Sequence, residues 1–335
     1  MRKYIDLHCD TISKIARCPE NGGLLKNTGQ VDIESLKRGG CLLQTFACFI
    51  EKTDFKHRAF GEESFGGGGL WEAAWTYANH LLDTFWEELH KNKDSIAAAV
   101  CVSDIETNMK KRRISAMASV EEGGILNGRE ERLKILFERG VRLITLTWNF
   151  ENCIGYPNSK NQDIMSRGLK PFGFKVLELM NKYGMIIDVS HLSDGGFWDV
   201  AANSEKTGIP FAASHSCARA LKDHPRNLTD EMLKKIGDTG SVAGVNFYSA
   251  FLGDTDFSEK EAIVRHIMHM VKMAGTESVA IGTDFDGIPG RLEINRADKM
   301  PLLFDALKKE GMSEADIDKI SFQNALRLIR SVIPQ

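Results

Sequence analysis

Eight short runs rich in β-branched residues recur along the chain, at residues 4–8, 41–50, 114–121, 141–148, 185–191, 209–215, 241–247 and 278–284. Helical spacing fills most of the intervals, as at 33–38, 130–139, 171–183, 228–236 and 258–273, and two further helical stretches, 299–310 and 314–331, follow the last run. Such alternation reads as parallel strand–helix units, because a parallel neighbour needs a crossover long enough to hold a helix. Eight units in 335 residues fit a closed (β/α)8 TIM barrel of the α/β class, one domain over residues 1–335. One interval breaks the rhythm. Residues 71–93 read as a long helix and 95–102 (SIAAAVCV) as an extra strand, with the glycine run 66–69 as a loop before them. This is an insertion between strands two and three, at about residues 55–105. An open doubly wound sheet is the competing fold, but it calls for a glycine-rich phosphate loop where this chain has His8-Cys9-Asp10.

In a barrel enzyme the chemistry collects where strands end and the following loops begin. Here the first strand ends in His8-Cys9-Asp10, and alternate residues of a strand share a face. The third ends in Glu121-Glu122-Gly123, the fifth in Ser190-His191, the sixth in Ser214-His215 and the eighth in Thr283-Asp284. Three imidazoles and at least three carboxylates therefore converge on one end of the barrel. That donor set suits zinc and similar divalent ions, and a carboxylate shared by two ions lets them acidify one water. Carboxylates gathered so closely repel one another unless cations lie between them.

The other histidines read as ordinary polar residues. His57, His80, His90, His266 and His269 lie away from the strand ends, and the pair His266 and His269, three apart on one helix face, has no carboxylate placed for it. A net charge of −3 leaves no footprint for nucleic acid, and the basic run Lys110-Lys111-Arg112-Arg113 reads as a solvated helix end. The seven cysteines show no CxxC spacing, which points to a reducing compartment. No run approaches the roughly 18 apolar residues of a membrane span. Asp6 interrupts any candidate signal core, so a cytoplasmic protein without membrane contact is expected.

These motifs resemble those of the membrane (renal-type) dipeptidases, a branch of the amidohydrolase superfamily, in the form of a soluble bacterial-type member. The likeness spans the chain and rests on Asp6-Leu7-His8-Cys9-Asp10-Thr11, Val120-Glu121, Leu146-Thr147, Ile187-Asp188-Val189-Ser190-His191, Ser214-His215-Ser216, Arg226-Asn227, Val245-Asn246-Phe247-Tyr248 and Asp284-Phe285-Asp286-Gly287. The resemblance implies two divalent metal ions, zinc foremost. His8 and Asp10 hold the first, His191 and His215 the second, Glu121 bridges them, and Asp284 is the catalytic acid and base beside the first. It implies Arg226 as the anchor of a substrate carboxylate, Tyr248 as a wall of the pocket, a small dipeptide as substrate, and a homodimer.

The chain departs from the family pattern twice. Two glutamates precede Gly123 where one is expected, and spacing favours Glu121 as the bridge, with Glu122 facing outward or capping the following helix. Where many members have a histidine after Leu-Thr, this chain has Trp148-Asn149. Asn149 then replaces the missing hydrogen bond, or Trp148 walls the pocket. The expected activity is hydrolysis of dipeptides by a metal-activated water. The alternatives are another amidohydrolase-type reaction on an N-acyl amino acid, lactam or ester, and a degenerate barrel that only binds.

Overall fold

The computed structural model describes residues 2–50 and 69–335. Its strands are β1 (Tyr4–Cys9), β2 (Cys41–Phe49), β3 (Ile96–Ala98), β4 (Ile114–Glu121), β5 (Val141–Thr145), β6 (Ile186–Asp188), β7 (Ala212–Ala213), β8 (Val242–Val245), β9 (Phe257–Ser258), β10 (Val279–Ile281) and β11 (Arg291–Leu292). The ladder runs β2-β1-β10-β8-β7-β6-β5-β4, all parallel, and a β2–β4 pairing from Leu43↔Ser115 to Phe49↔Glu121 closes it into the expected eight-stranded barrel. One apolar cluster takes residues from all eight barrel strands, among them Leu7, Leu43, Met117 and Leu143, together with Leu328 and Ile329 of the last helix. A larger cluster joins the strands to the surrounding helices.

Several strands are shorter than their apolar runs. The run 185–191 gives only Ile186–Asp188 and the run 209–215 only Ala212–Ala213. The reason is that two buried carboxylates take over the backbone donors beyond these points. Asp188 accepts from the N–H of Ser190 (3.0 Å) and Ser214 (2.8 Å), just past β6 and β7, and Asp6 accepts from the N–H of Thr283 (2.9 Å), just past β10. The chain leaves the sheet there without orphaning its amides.

The helices fall close to their expected places, including Leu70–Lys91 in the insertion and Pro171–Tyr183, which opens on proline and ends on Gly184. The expected strand 95–102 is corrected. Only Ile96–Ala98 pairs, and Val102 opens the helix Val102–Lys110 because the Asp104 carboxylate accepts from the N–H of Val100 (2.9 Å) and Cys101 (3.1 Å). Lys110, Lys111 and Arg112 lie exposed at that helix's end. A further helix, Asp194–Thr207, fills the interval between β6 and β7. Gly195 and Gly196 in its first turn blur its helical pattern, yet a side chain at Gly195 would strike the backbone of Ser166 and Arg167. The last helical stretch divides into Glu314–Asp318, a π turn at Lys319–Gln323, and Asn324–Val332. Residues 66–68 of the glycine run, His57 and the first part of the insertion lie outside the described residues.

Candidate metal centre

At the C-terminal ends of the strands the six residues singled out from the sequence come together. His8 Nε2 lies 3.3 Å from Glu121 Oε2, 3.5 Å from Asp10 Oδ2 and 3.7 Å from Asp284 Oδ1. The other Glu121 oxygen, Oε1, faces His191 Nε2 at 3.0 Å and His215 Nε2 at 3.5 Å. All six side chains are buried. Three overlapping groups have ligand atoms close enough to share an ion: His8 with Asp10 and Glu121, His8 with His215 and Asp284, and Glu121 with His191 and His215.

The donor set fits divalent cations. Nδ1 and Nε2 of His8 and Oδ1 of Asp10 are buried without a hydrogen-bond partner among the described residues, a costly state for polar atoms. Nε2 of His191 and Nε2 of His215 lie 3.0 Å apart. Electrostatics point the same way. Burial and the cation of Arg226 push His191 down to about 4, and burial together with His8 holds His215 well below its usual range. Both are neutral imidazoles, the form that binds metal. Burial raises Asp284 to about 7, with Asp10 and Glu121 adding to it against His8.

Backbone strain gathers here as well. Of the six non-glycine residues with positive φ among the described residues, four belong to this region: Glu122 (100°), His191 (67°), Asp284 (61°) and Asp286 (67°). Such conformations cost on the order of 1–3 kcal/mol each and persist where surrounding contacts enforce them. Asp286 is enforced by the Thr11 hydroxyl (2.7 Å), Lys14 Nζ (3.0 Å) and the Gln30 N–H (2.8 Å).

Glu121 faces the imidazoles and Glu122 does not. Of the two expectations for Glu122, the outward-facing one is corrected and the capping one describes what is seen: its carboxylate is buried and caps the short 3-10 turn Gly123–Leu126. Burial raises its pKa to about 7, against the three N–H donors aimed at its oxygens, which favour the ionised form.

A cleft of about 470 Å³ opens over the cluster, and its lining includes Lys14, Arg17, Phe49, Trp148, Tyr248, Phe251, Ile288 and Pro289. Tyr248 lines the cleft edge-on to Phe251 at 4.9 Å. Arg226 is not among the lining residues; it is buried next to Phe251, with Nη2 donating to the His215 carbonyl (3.2 Å), its guanidinium 5.3 Å from the Phe251 ring, and Nε without a partner among the described residues. Asn149 does not line the cleft; its Oδ1 lies 3.4 Å from His191 Nδ1, on the far side of the imidazole. Trp148 takes the wall position. The His266–His269 pair is also corrected: a carboxylate does engage it, since His269 meets Asp230 at 2.7 Å, while His266 accepts from Ala218 N–H (3.1 Å) and faces the Leu252 carbonyl (3.2 Å).

Supporting residues went unassigned in the sequence. Asn246 donates to Asp284 Oδ2 at 2.8 Å, Asp188 and Ser214 stand behind His215, and His224 accepts from the Arg226 N–H at 3.1 Å. The acids carried a usable signal: Asp6 and Asp188 sit on strands two and three residues before a site histidine, where an unpaired buried charge is excluded.

A family model described as membrane dipeptidase (Peptidase family M19) matches residues 2–333. An uncharacterized protein in the pqqA 5′ region of Klebsiella pneumoniae is 34% identical over 272 residues, covering 76% of this chain and 98% of that protein. An uncharacterized dipeptidase of Schizosaccharomyces pombe is 28% identical over 311 residues, 90% of this chain and 72% of that one. Among solved structures, the metallopeptidase dipeptidase AC of family M19 superposes with a TM-score of 0.86 at 22% identity, covering 100% of this chain and 99% of that one. A Rhodobacter sphaeroides metallopeptidase liganded with a phosphinate mimic of the dipeptide L-Ala-D-Ala gives 0.83 at 22% identity, covering 99% of each chain. At these identities the two structures establish the shared fold.

Proposed function

The chain belongs to the membrane dipeptidase family, peptidase family M19, and from that membership we propose that it hydrolyses the peptide bond of dipeptides at a centre of two divalent metal ions, with zinc as the metal. The family is one of metal-dependent peptide hydrolases, and this chain is such an enzyme. The observation that carries the finer reading is Glu121, whose two oxygens face two separate groups of donors, Oε2 toward His8 at 3.3 Å and Oε1 toward His191 at 3.0 Å. His8 and Asp10 would hold one ion, His191 and His215 the other, and Glu121 both, with Asp284 beside the first.

When bound, the ions would acidify a water and draw electron density from the substrate carbonyl. Asp284 takes the proton of the attacking water and returns it to the departing amine. Asn246 fixes its Oδ2, which leaves Oδ1 on the side of His8. Arg226 binds the C-terminal carboxylate of the substrate, with Tyr248 closing that end of the cleft. An anchor of this kind measures length, because a longer peptide cannot present both its carboxylate and its scissile bond. The cleft volume lies within the range of about 300–1,000 Å³ usual for small-ligand sites. All seven cysteines are free thiols, which suits a reducing compartment and a cytoplasmic enzyme.

The test is a panel of dipeptides, N-acyl amino acids, lactams and esters, each assayed with metal-loaded and with chelated protein. Dipeptides should be the best substrates and chelation should abolish turnover. Activity indifferent to chelation, or a better N-acyl, lactam or ester substrate, would overturn the reading.

A further inference from the structure

Glu122 has φ 100° and ψ 82°, a region that residues other than glycine seldom occupy. Its carboxylate takes no part in the hydrolysis just described. Instead Oε1 accepts from Gly124 N (2.8 Å) and Asn152 Nδ2 (2.5 Å), and Oε2 accepts from Trp148 N (3.0 Å). Asn152 in turn donates to the Leu146 carbonyl (2.9 Å) and accepts from the N–H of Ile154 (2.7 Å) and Gly155 (3.1 Å). One buried carboxylate thus ties the loop after β4 to the loop after β5, and it holds the second loop by the main chain of Trp148.

Trp148 stands edge-on to Phe49 with ring centroids 4.9 Å apart, and 6.3 Å from His191. These two aromatic residues follow or end β5 and β2, which flank β4 in the closed ladder. Tyr248 and Phe251 follow β8, and Arg226 follows β7, on the far side of the ring. A dipeptide anchored at Arg226 therefore crosses the carboxylate cluster and brings its amino-terminal residue toward Trp148 and Phe49. Of the two cations in the lining, Lys14 is engaged by Asp286 at 3.0 Å, and the Arg17 guanidinium lies 5.3 Å from the Phe49 ring, over the apolar recess.

We propose that Trp148 and Phe49 form the recess for the amino-terminal side chain, that preferred dipeptides carry a bulky apolar residue there, and that Glu122 is the positioning residue that sets this recess by fixing the Trp148 main chain. The inference rests on the dipeptidase reading and names its substrate class. A pocket that buries several more carbons of one substrate than of another discriminates by tenfold or more, on the order of 10–200-fold per methylene at most.

The experiment is steady-state hydrolysis of Gly-Ala, Leu-Ala and Phe-Ala, the alanine in both stereochemical forms, by metal-loaded full-length protein. Wild type, Trp148→Ala, Glu122→Gly and Glu122→Gln are compared, with bound metal measured for each. Wild type should favour Leu-Ala and Phe-Ala over Gly-Ala by about tenfold or more in kcat/KM. Trp148→Ala and Glu122→Gly should lose most of that preference through a raised KM for the bulky substrates, with kcat and bound metal little changed. Glycine suits the backbone at 122, so this variant removes the carboxylate and keeps the turn. Glutamine retains one acceptor oxygen and should fall between. A flat wild-type profile, a preference for acidic amino-terminal residues, or full preference in Glu122→Gly would overturn the proposal. If none of the three dipeptides is cleaved, the dipeptidase reading itself fails, a result distinct from a flat profile.

Discussion

The Ser214 hydroxyl donates to Oδ2 of Asp188 at 2.6 Å, and the Oγ of Ser214 lies 2.7 Å from Nδ1 of His215. The Asp188 carboxylate has donors all around it, also taking the Thr145 hydroxyl (2.6 Å) and the N–H of Ser190 (3.0 Å) and Ser214 (2.8 Å). With the serine hydrogen committed to Asp188, Nδ1 of His215 must be the donor to Ser214. The proton is thereby fixed on Nδ1 and the lone pair of Nε2 faces the cluster.

This relay predicts the behaviour of Ser214→Ala. Orienting partners behind a metal-bound imidazole are typically worth about 10–100-fold in metal affinity. Ser214→Ala should lose that much, measured by competition with a chelator, while its circular dichroism stays that of wild type. An affinity within twofold of wild type would show that the relay does not orient His215.

Gly287→Ala should be more damaging than its size suggests. A Cβ at this position would collide with Oδ2 of Asp10 and press within 2.8 Å of Oδ1 of Asp284. Neither short side chain has room to withdraw, because both are buried and Asp284 is held by Asn246. The expected outcome is a metal content reduced at least tenfold after dialysis against buffer, about 1.4 kcal/mol or more in affinity. Full metal occupancy in Gly287→Ala would refute the close packing.

The barrel was legible in the sequence because its signals are periodic, and the ligand cluster because it repeats one positional rule at separate strand ends. What escaped was held by pairwise geometry. The strand lengths depended on Asp6 and Asp188 capturing amides from neighbouring strands, and nothing in a run such as Ile209-Pro210-Phe211-Ala212-Ala213 marks where the ladder stops. Glu122 could be read as facing outward or as a cap but not as a tie between loops, because its three partners lie two to thirty residues away and meet only when two loops fold together. Asn149 sat beside the right residue but pointed to the other side of His191.

His266 supplies a pH dependence. Its Nδ1 accepts from the Ala218 N–H, so Nε2 carries the proton toward the Leu252 carbonyl, and burial lowers its pKa from the usual 6.5 to about 4. The folded protein keeps this imidazole neutral while the unfolded chain protonates it below 6.5. The unfolded state therefore binds more protons between about 6.5 and 4, and stability falls as pH drops through that window. At pH 5 the loss amounts to about 2 kcal/mol. Denaturant unfolding at pH 7.5 and pH 5 should show this extra loss in wild type relative to His266→Gln, whose amide can replace both hydrogen bonds but does not titrate. Equal losses in the two proteins would remove His266 from the account.

Arg226 tests the substrate anchor. It is buried, its side chain donates among the described residues through Nη2 to the His215 carbonyl, and its Nε has no partner there, which leaves donors of the planar fork for a carboxylate. Arg226→Lys keeps the charge but loses the paired donors. A hydrogen bond to a charged group contributes about 1.5–3 kcal/mol, so KM for a good dipeptide should rise on the order of 10–100-fold. The C-terminal amide of the same dipeptide lacks the carboxylate, so it should be a poor substrate of wild type and lose little further in the variant. A double comparison of acid and amide with both proteins isolates the pairing from any general damage. Equal turnover of acid and amide by wild type would show that Arg226 anchors no carboxylate, and the length measurement assigned to it would fall with that result.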